Sequence, residues 1–128
     1  MPFDAQGYLV PGTTPAVRTV PAGITRPPYV GLSTQPQYLG DNTYSDDEIA
    51  RIRISGGIAS RALDAVAAAV RPGVTTAELD RIAHDSVVAA GAYPSTLGYR
   101  GYRASSCTSV NEVICHGIPD DTVLREGD

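Results

Sequence analysis

The sequence predicts an α+β fold in which two helices pack on a short antiparallel sheet. Three observations carry that expectation. Ser45-Asp46-Asp47-Glu48 and Thr75-Thr76-Ala77-Glu78 are two capping boxes, each placed just ahead of an apolar stripe of helical spacing. Pro72-Gly73 separates the two stripes. Past Gly91 the helical period disappears, and a stretch rich in Ser, Thr, Tyr and Val with Gly and Pro breaks follows, as expected of short strands.

The first helix is expected over about residues 46–71. Its stripe is Ile49, Ile52, Gly56, Ala59, Leu63, Val66 and Val70, and the acids at its start suit a helix N-terminus. The second is expected over 76–90, with Leu79, Ile82, Ala83, Ser86 and Ala90 as its stripe and Gly91 as its C-terminal cap. A short turn between them makes an antiparallel pair. His84 lies off the stripe. With no second ligand three or four residues away, it is read as a solvent-facing side chain beside Arg81 and Asp85 rather than a metal ligand. Strands are expected over 104–109 and 112–116 around a turn at Val110-Asn111, and Thr122–Asp128 reads as the approach to another strand.

Residues 1–44 form a different region from residues 45–128. They hold most of the ten prolines and show neither a helical nor a strand period, so they read as an extended arm. Tyr8, Tyr29, Tyr38 and Tyr44 suggest an arm laid on a surface. No two of its prolines are three apart, which removes the PxxP pattern and favours packing on the chain's own domain over a recognition role.

Composition narrows the function. The chain is 128 residues long, 42% hydrophobic and 19% charged, which suits one domain with a buried core. The net charge is −4, all ten basic residues are arginine, and they form no block, so a nucleic-acid footprint is not indicated. No apolar run approaches the ~20 residues of a spanning helix. The N-terminus carries an acid and no basic residue in the first twelve positions, unlike a secretory signal. Cys107 and Cys115 form no CxxC pair, and reduced thiols in the cytoplasm are the expectation.

Chemistry-bearing residues gather between 94 and 121. Tyr99 and Tyr102 stand three apart between glycines, and Cys107 and His116 fall on neighbouring predicted strands. A sulfur, two phenols and an imidazole suit an apolar pocket with a few polar groups. A strand pair whose Cys and His are merely buried explains the spacing equally well.

The stretches YPSTLGYRGY and SCTSVNEVICHGIPD, with PGVTTAELDRIAH before them, resemble the N-terminal half of type I methionine aminopeptidases. The likeness covers residues 45–128, and the Pro-rich arm is similar to the extension of one bacterial subgroup. It implies a pita-bread fold of two αβ halves around a dinuclear metal centre. The implied activity is metal-dependent removal of the initiator Met from nascent proteins with a small second residue. Residue by residue, it implies that His116 contacts the scissile amide and stabilises the tetrahedral intermediate. Thr96, Tyr99, Tyr102 and Cys107, with His116, match the pocket for the Met side chain. Asn111 and Val113 match positions whose carbonyls hold a monovalent cation, Na⁺ or K⁺. Arg103-Ala104 departs from the family's usual Pro-Lys at the pocket rim.

The resemblance also implies two divalent ions (Co, Mn, Fe or Zn), held by two Asp, one His and two Glu. All five positions fall beyond Asp128, so residues 1–128 are expected to be inactive alone. Asp120, Asp121, Glu126 and Asp128 match a loop of the family and read as a solvated face. Implied partners are nascent N-termini, with the ribosome reached through the arm. Two rivals remain at this point: a non-catalytic binding protein derived from the pita-bread fold, and an aminopeptidase that prefers proline-containing substrates. The Cys107 position and NEVICHGIPD favour the methionine enzyme over the second.

Overall fold

The computed structural model describes residues 4–128. Helix α1 runs Asp46–Ala69 and helix α2 runs Thr76–Ala89, and the two are in contact. The capping box of α1 is complete: the Glu48 amide donates to Ser45 Oγ at 3.4 Å, and the Ser45 amide donates to Glu48 Oε2 at 2.8 Å. The Ser45 amide and the Ser45 hydroxyl, which also donates to Glu48 Oε2 at 2.8 Å, hold the Glu48 carboxyl below its ordinary pKa. The box expected on α2 is only half made. Thr75 Oγ1 accepts from the Glu78 amide at 3.1 Å, but the Glu78 carboxylate turns to Arg81, at 2.6 and 3.0 Å. α1 stops two residues short of the expected end. Val70 is already extended (φ −65°, ψ 119°), and Pro72 disfavours helix at the residue before it.

The expected helix-on-sheet arrangement does not form. Among the described residues there is no strand, and Thr75 and Val123 form an isolated antiparallel bridge. Two causes are visible between 104 and 116. The Ser105 and Ser106 amides, which a ladder would need, both donate to the carboxylate of Asp80 at 2.9 Å. Asn111 (φ 53°) and His116 (φ 54°) are left-handed and interrupt any extended run. Ser and Thr suit strands by composition, but they also suit turns that bond to nearby polar groups, and here the second tendency prevails. The predicted turn is present in altered form, closed by the Val113 amide on the Val110 carbonyl at 3.1 Å.

Segment 120–124 runs beside the connection from α1 into α2. Four backbone hydrogen bonds of 2.8–3.0 Å join them: Gly73 to Leu124, Leu124 to Val74, Thr76 to Thr122 and Ala77 to Asp120. Two of the donors are the otherwise orphaned first-turn amides of α2. The buried apolar residues cluster around α2: Val20, Val74, Leu79, Ala83, Leu97 and Ala104. α1 buries only Ala62, and Ile52, Ile54 and Leu63 are 52%, 65% and 69% exposed. The stripe predicted to be its inner face therefore stands largely open.

Residues 4–44 contain neither helix nor strand and are tied to the rest by polar contacts. The Gly12 amide donates to Asp120 Oδ2 at 2.6 Å and the Thr13 amide to Asp121 Oδ1 at 2.7 Å, while the Asp121 amide returns a bond to the Thr13 carbonyl at 3.2 Å. Gly12 is required by this approach, because a Cβ there would lie 2.0 Å from Asp121 Oδ1 and 3.1 Å from the Asp120 carboxyl. Asp120 was expected on a solvated face and is instead 7% exposed. Burial alone would raise its pKa. Hydrogen bonds from Thr122, Gly12 and Thr76 outweigh that and lower it.

Two predictions follow from these anchors. Ser45→Ala should cost about 1 kcal/mol, read by urea unfolding followed at the helical circular-dichroism band; no measurable change would mean that the cap contributes nothing. The Asp120 contribution should be fully present above the unfolded carboxylate pKa and lost as pH falls through the lowered native value. Exchange protection of the Gly12 amide, corrected for intrinsic rate, should fall across that acid window, and Asp120→Asn should remove the dependence. A flat profile in the parent protein would refute this.

Candidate functional site

The site is built on the turns between Pro94 and Pro119. After α2, a single 3₁₀ turn covers Tyr99–Gly101, with Arg100 left-handed at φ 49°. Thr96 Oγ1 donates to the Ala104 carbonyl at 3.0 Å and so ties the two sides of this loop. The Tyr99 hydroxyl donates to Gln35 Oε1 at 2.7 Å, and its ring meets Tyr29 edge-on with centroids 5.3 Å apart. Tyr99 thus faces the arm.

Tyr102 lies at the centre of the remaining residues. Its hydroxyl is 2.9 Å from the Ser106 carbonyl and 3.1 Å from the Gly117 carbonyl, and one O–H is shared between them. Burial, and next the hydrogen bond with Cys107, push this phenol above its ordinary pKa. The Thr108 amide donates to the Gly117 carbonyl at 2.9 Å. The residues following Cys107 and His116 are therefore hydrogen-bonded to each other, and Tyr102 spans the same junction.

The structure brings Tyr102, Cys107 and the His116–Gly117 corner together, while Thr96 and Tyr99 serve the loop and the arm. Both cysteines and His116 are solvent-exposed. The sharp bend of this corner falls on His116, whose φ is 54°. Gly117 is needed for a different reason: a Cβ there would lie 2.1 Å from the Thr108 carbonyl oxygen. Asn111 Nδ2 donates to Asp128 Oδ1 at 3.0 Å, and Val113 closes the preceding turn.

Sequence reasoning missed two residues of α2. Asp80 is 2% exposed, and its Oδ1 accepts from the Ser105 amide, the Ser106 amide and Ser106 Oγ at 2.9, 2.9 and 2.8 Å. His84 is 5% exposed rather than solvent-facing. Its Nδ1 lies 2.7 Å from Ser105 Oγ and its Nε2 lies 3.1 Å from the Thr19 carbonyl. A neutral ring that donates from Nε2 and accepts at Nδ1 satisfies both contacts. The available signal was the four-residue spacing of Asp80 and His84, which puts both on one helix face toward Ser105-Ser106.

Among the described residues, no group of three or more His, Cys, Asp or Glu side chains is arranged to hold a metal ion. The carboxylates around the site are already bonded: Asp80 to Ser105 and Ser106, Glu112 to the Leu9 amide, Asp120 to Gly12 and Thr76, Asp121 to Thr13, and Asp128 to Asn111 and Arg125. They do not fit a dinuclear centre. No described helix is long and apolar enough to cross a membrane.

Residues 50–128 match the model of metallopeptidase family M24, and the chain belongs to that family. It is 52% identical over 120 residues to methionine aminopeptidase 2 of Mycobacterium tuberculosis, which covers 94% of this chain and 42% of that protein. It is 55% identical over 85 residues to methionine aminopeptidase 1 of Saccharomyces cerevisiae, covering 66% of this chain and 22% of that one. The crystal structure of methionine aminopeptidase from Rickettsia prowazekii superposes with a TM-score of 0.64 at 37% identity, over 66% of this chain and 34% of that one. The chain thus spans well under half the length of these relatives.

Gly117→Ala should destabilise the chain by about 3 kcal/mol or more, because backbone rather than a flexible side chain occupies the space a Cβ needs. Urea unfolding measures this, and a loss under about 1 kcal/mol would show that the corner relaxes freely.

Proposed function

We propose that this chain supplies the Met side-chain pocket and the His116 contact of a methionine aminopeptidase. The carrying observation is the 52% identity over 94% of the chain to the M. tuberculosis protein. The geometry supports it. Tyr102 and Cys107 present a ring and a sulfur beside the corner that carries His116. A thioether is soft and packs well against aromatic edges and sulfur, which suits a Met side chain. His116 would donate to the scissile amide as charge develops there. The substrates would be nascent proteins with a small second residue, in the cytoplasm. Two divalent ions of Co, Mn, Fe or Zn would complete the centre on ligands that the described residues do not supply. The carbonyls of Asn111 and Val113 would hold a monovalent ion. Residues 1–44 would act as an arm packed on residues 45–128, and ribosome docking forms no part of the proposal.

The test is a chimera in which residues 1–128 replace the aligned segment of the M. tuberculosis protein. It should release Met from a Met-Ala-Ser peptide with added Co²⁺, Mn²⁺ or Fe²⁺. His116→Ala in it should lower the rate by roughly 10²–10⁴-fold with metal content unchanged. A folded, metal-loaded chimera that releases no Met would overturn the reading. Loss of metal on His116→Ala would overturn the role given to that residue.

A further inference from the structure

The pocket and the corner hang on a group that the reaction itself does not use. Asp80 gathers three donors on one oxygen from Ser105 and Ser106, the two residues that immediately precede Cys107. Its second oxygen lies 3.6 Å from Arg18 Nε of the arm, an ion-pair distance rather than a hydrogen bond. With its amide and hydroxyl fixed, Ser106 presents its carbonyl to the Tyr102 hydroxyl. The same hydroxyl reaches the Gly117 carbonyl, which also accepts from the Thr108 amide. Cys107 and His116 therefore sit on two segments joined by the Tyr102 hydroxyl, by the Thr108 amide on the Gly117 carbonyl and by the Gly117 amide on Ser109 Oγ at 3.3 Å, and the Ser106 partner of that phenol is held by one buried carboxylate.

We propose that Asp80 is a positioning residue. Acting through Ser106 and the Tyr102 hydroxyl, it fixes Cys107 relative to the His116–Gly117 corner, so that the side-chain pocket and the amide contact stay in register. Tyr102 then does more than line a pocket: its hydroxyl is the one side-chain group that bonds to the backbone of both segments. No strand ladder performs that task here, since one backbone bond, Thr108 to Gly117, joins them directly. His116 is also a non-glycine residue in the left-handed region, a conformation that persists only where its surroundings hold it. The consequence for catalysis rests on the aminopeptidase reading. The consequence for the position of Cys107 does not.

Two measurements separate these. In a Cys115→Ser background, the reaction rate of Cys107 with a small neutral disulfide reports how firmly its segment is held, in residues 1–128 and in the chimera alike. Tyr102→Phe keeps the ring and removes both hydroxyl bonds, and it should change this rate several-fold. Asp80→Ala should change it at least as much. Asp80→Asn retains an acceptor oxygen and should stay near the parent. In the active chimera, Tyr102→Phe should lower kcat on Met-Ala-Ser on the order of tenfold or more while KM moves little, because the ring still contacts the thioether but the amide contact is displaced. Asp80→Asn should recover most of what Asp80→Ala loses. An unchanged thiol rate in Tyr102→Phe, which is mild enough to fold, or in an Asp80→Ala chain that keeps its helical circular dichroism, would overturn the positioning role. So would a Tyr102→Phe effect confined to KM. A chimera without activity would sink the aminopeptidase reading alone, and the thiol rates would still decide the role of Asp80.

Discussion

The Asp80 carboxylate is the contact on which most of this structure depends. It is buried, and an ionised carboxylate removed from water is tolerated only when its oxygens are occupied. Three donors from Ser105 and Ser106 meet that demand on one side, and the Arg18 guanidinium lies on the other. The demand acts in both directions. The Ser105 and Ser106 amides need an acceptor as well, and leaving a buried donor unpaired costs about 1–3 kcal/mol. One side chain of α2 thereby fastens the site loop and the arm together. His84, one turn later, repeats the pattern with Ser105 Oγ and the Thr19 carbonyl. The arm and the loop meet because both bond to the same face of α2.

This arrangement explains why the helices were legible in the sequence and the rest was less so. Ser45 with Glu48, and Thr75 ahead of Leu79, are local signals: the groups that bond are three residues apart, and the spacing is the mechanism. The loop after Gly91 is decided by distant partners. Ser105 and Ser106 carry a composition suited to strands, yet their amides bond to a residue twenty-five positions earlier. Asp120, in a cluster of acids that reads as a solvated face, is drawn inward by Thr76 and by the backbone of Gly12, more than a hundred residues away. The family motif pointed to the stretch 94–121 without revealing that the Tyr102 hydroxyl bonds to both Ser106 and Gly117 within it. The position of Asp80 on α2 was visible, but its role depended on contacts across the fold.

Among the described residues, the three non-glycine ones with positive φ, Arg100, Asn111 and His116, all fall in this loop. Each holds a conformation that costs on the order of 1–3 kcal/mol unless its neighbours determine it. Glycine at those positions would relieve the cost but would widen the range of backbone states. At His116 a side chain able to donate to an amide is kept instead, and the backbone freedom is placed next to it: Gly117 lets the chain pass within touching distance of Thr108. The division of labour between the two residues is steric. His116 bends the chain and offers the imidazole, while Gly117 lets the junction close.

The uneven burial of the two helices follows from the same logic. α2 carries Leu79 and Ala83 into the core, the two polar anchors on an adjoining face, and first-turn amides that bond to segment 120–124. Its position is fixed from several directions at once. α1 has a complete cap, but only Ala62 is buried, so its order within the described residues comes from its own hydrogen bonds and its contact with α2. Hydrophobic pattern alone would rank α1, the longer stripe, as the organising element. Hydrogen-bond satisfaction ranks α2 instead. Accuracy at the site resides in that ranking, because non-directional apolar contacts bring segments near one another, whereas the directional bonds of Asp80 and Tyr102 fix which atoms face each other.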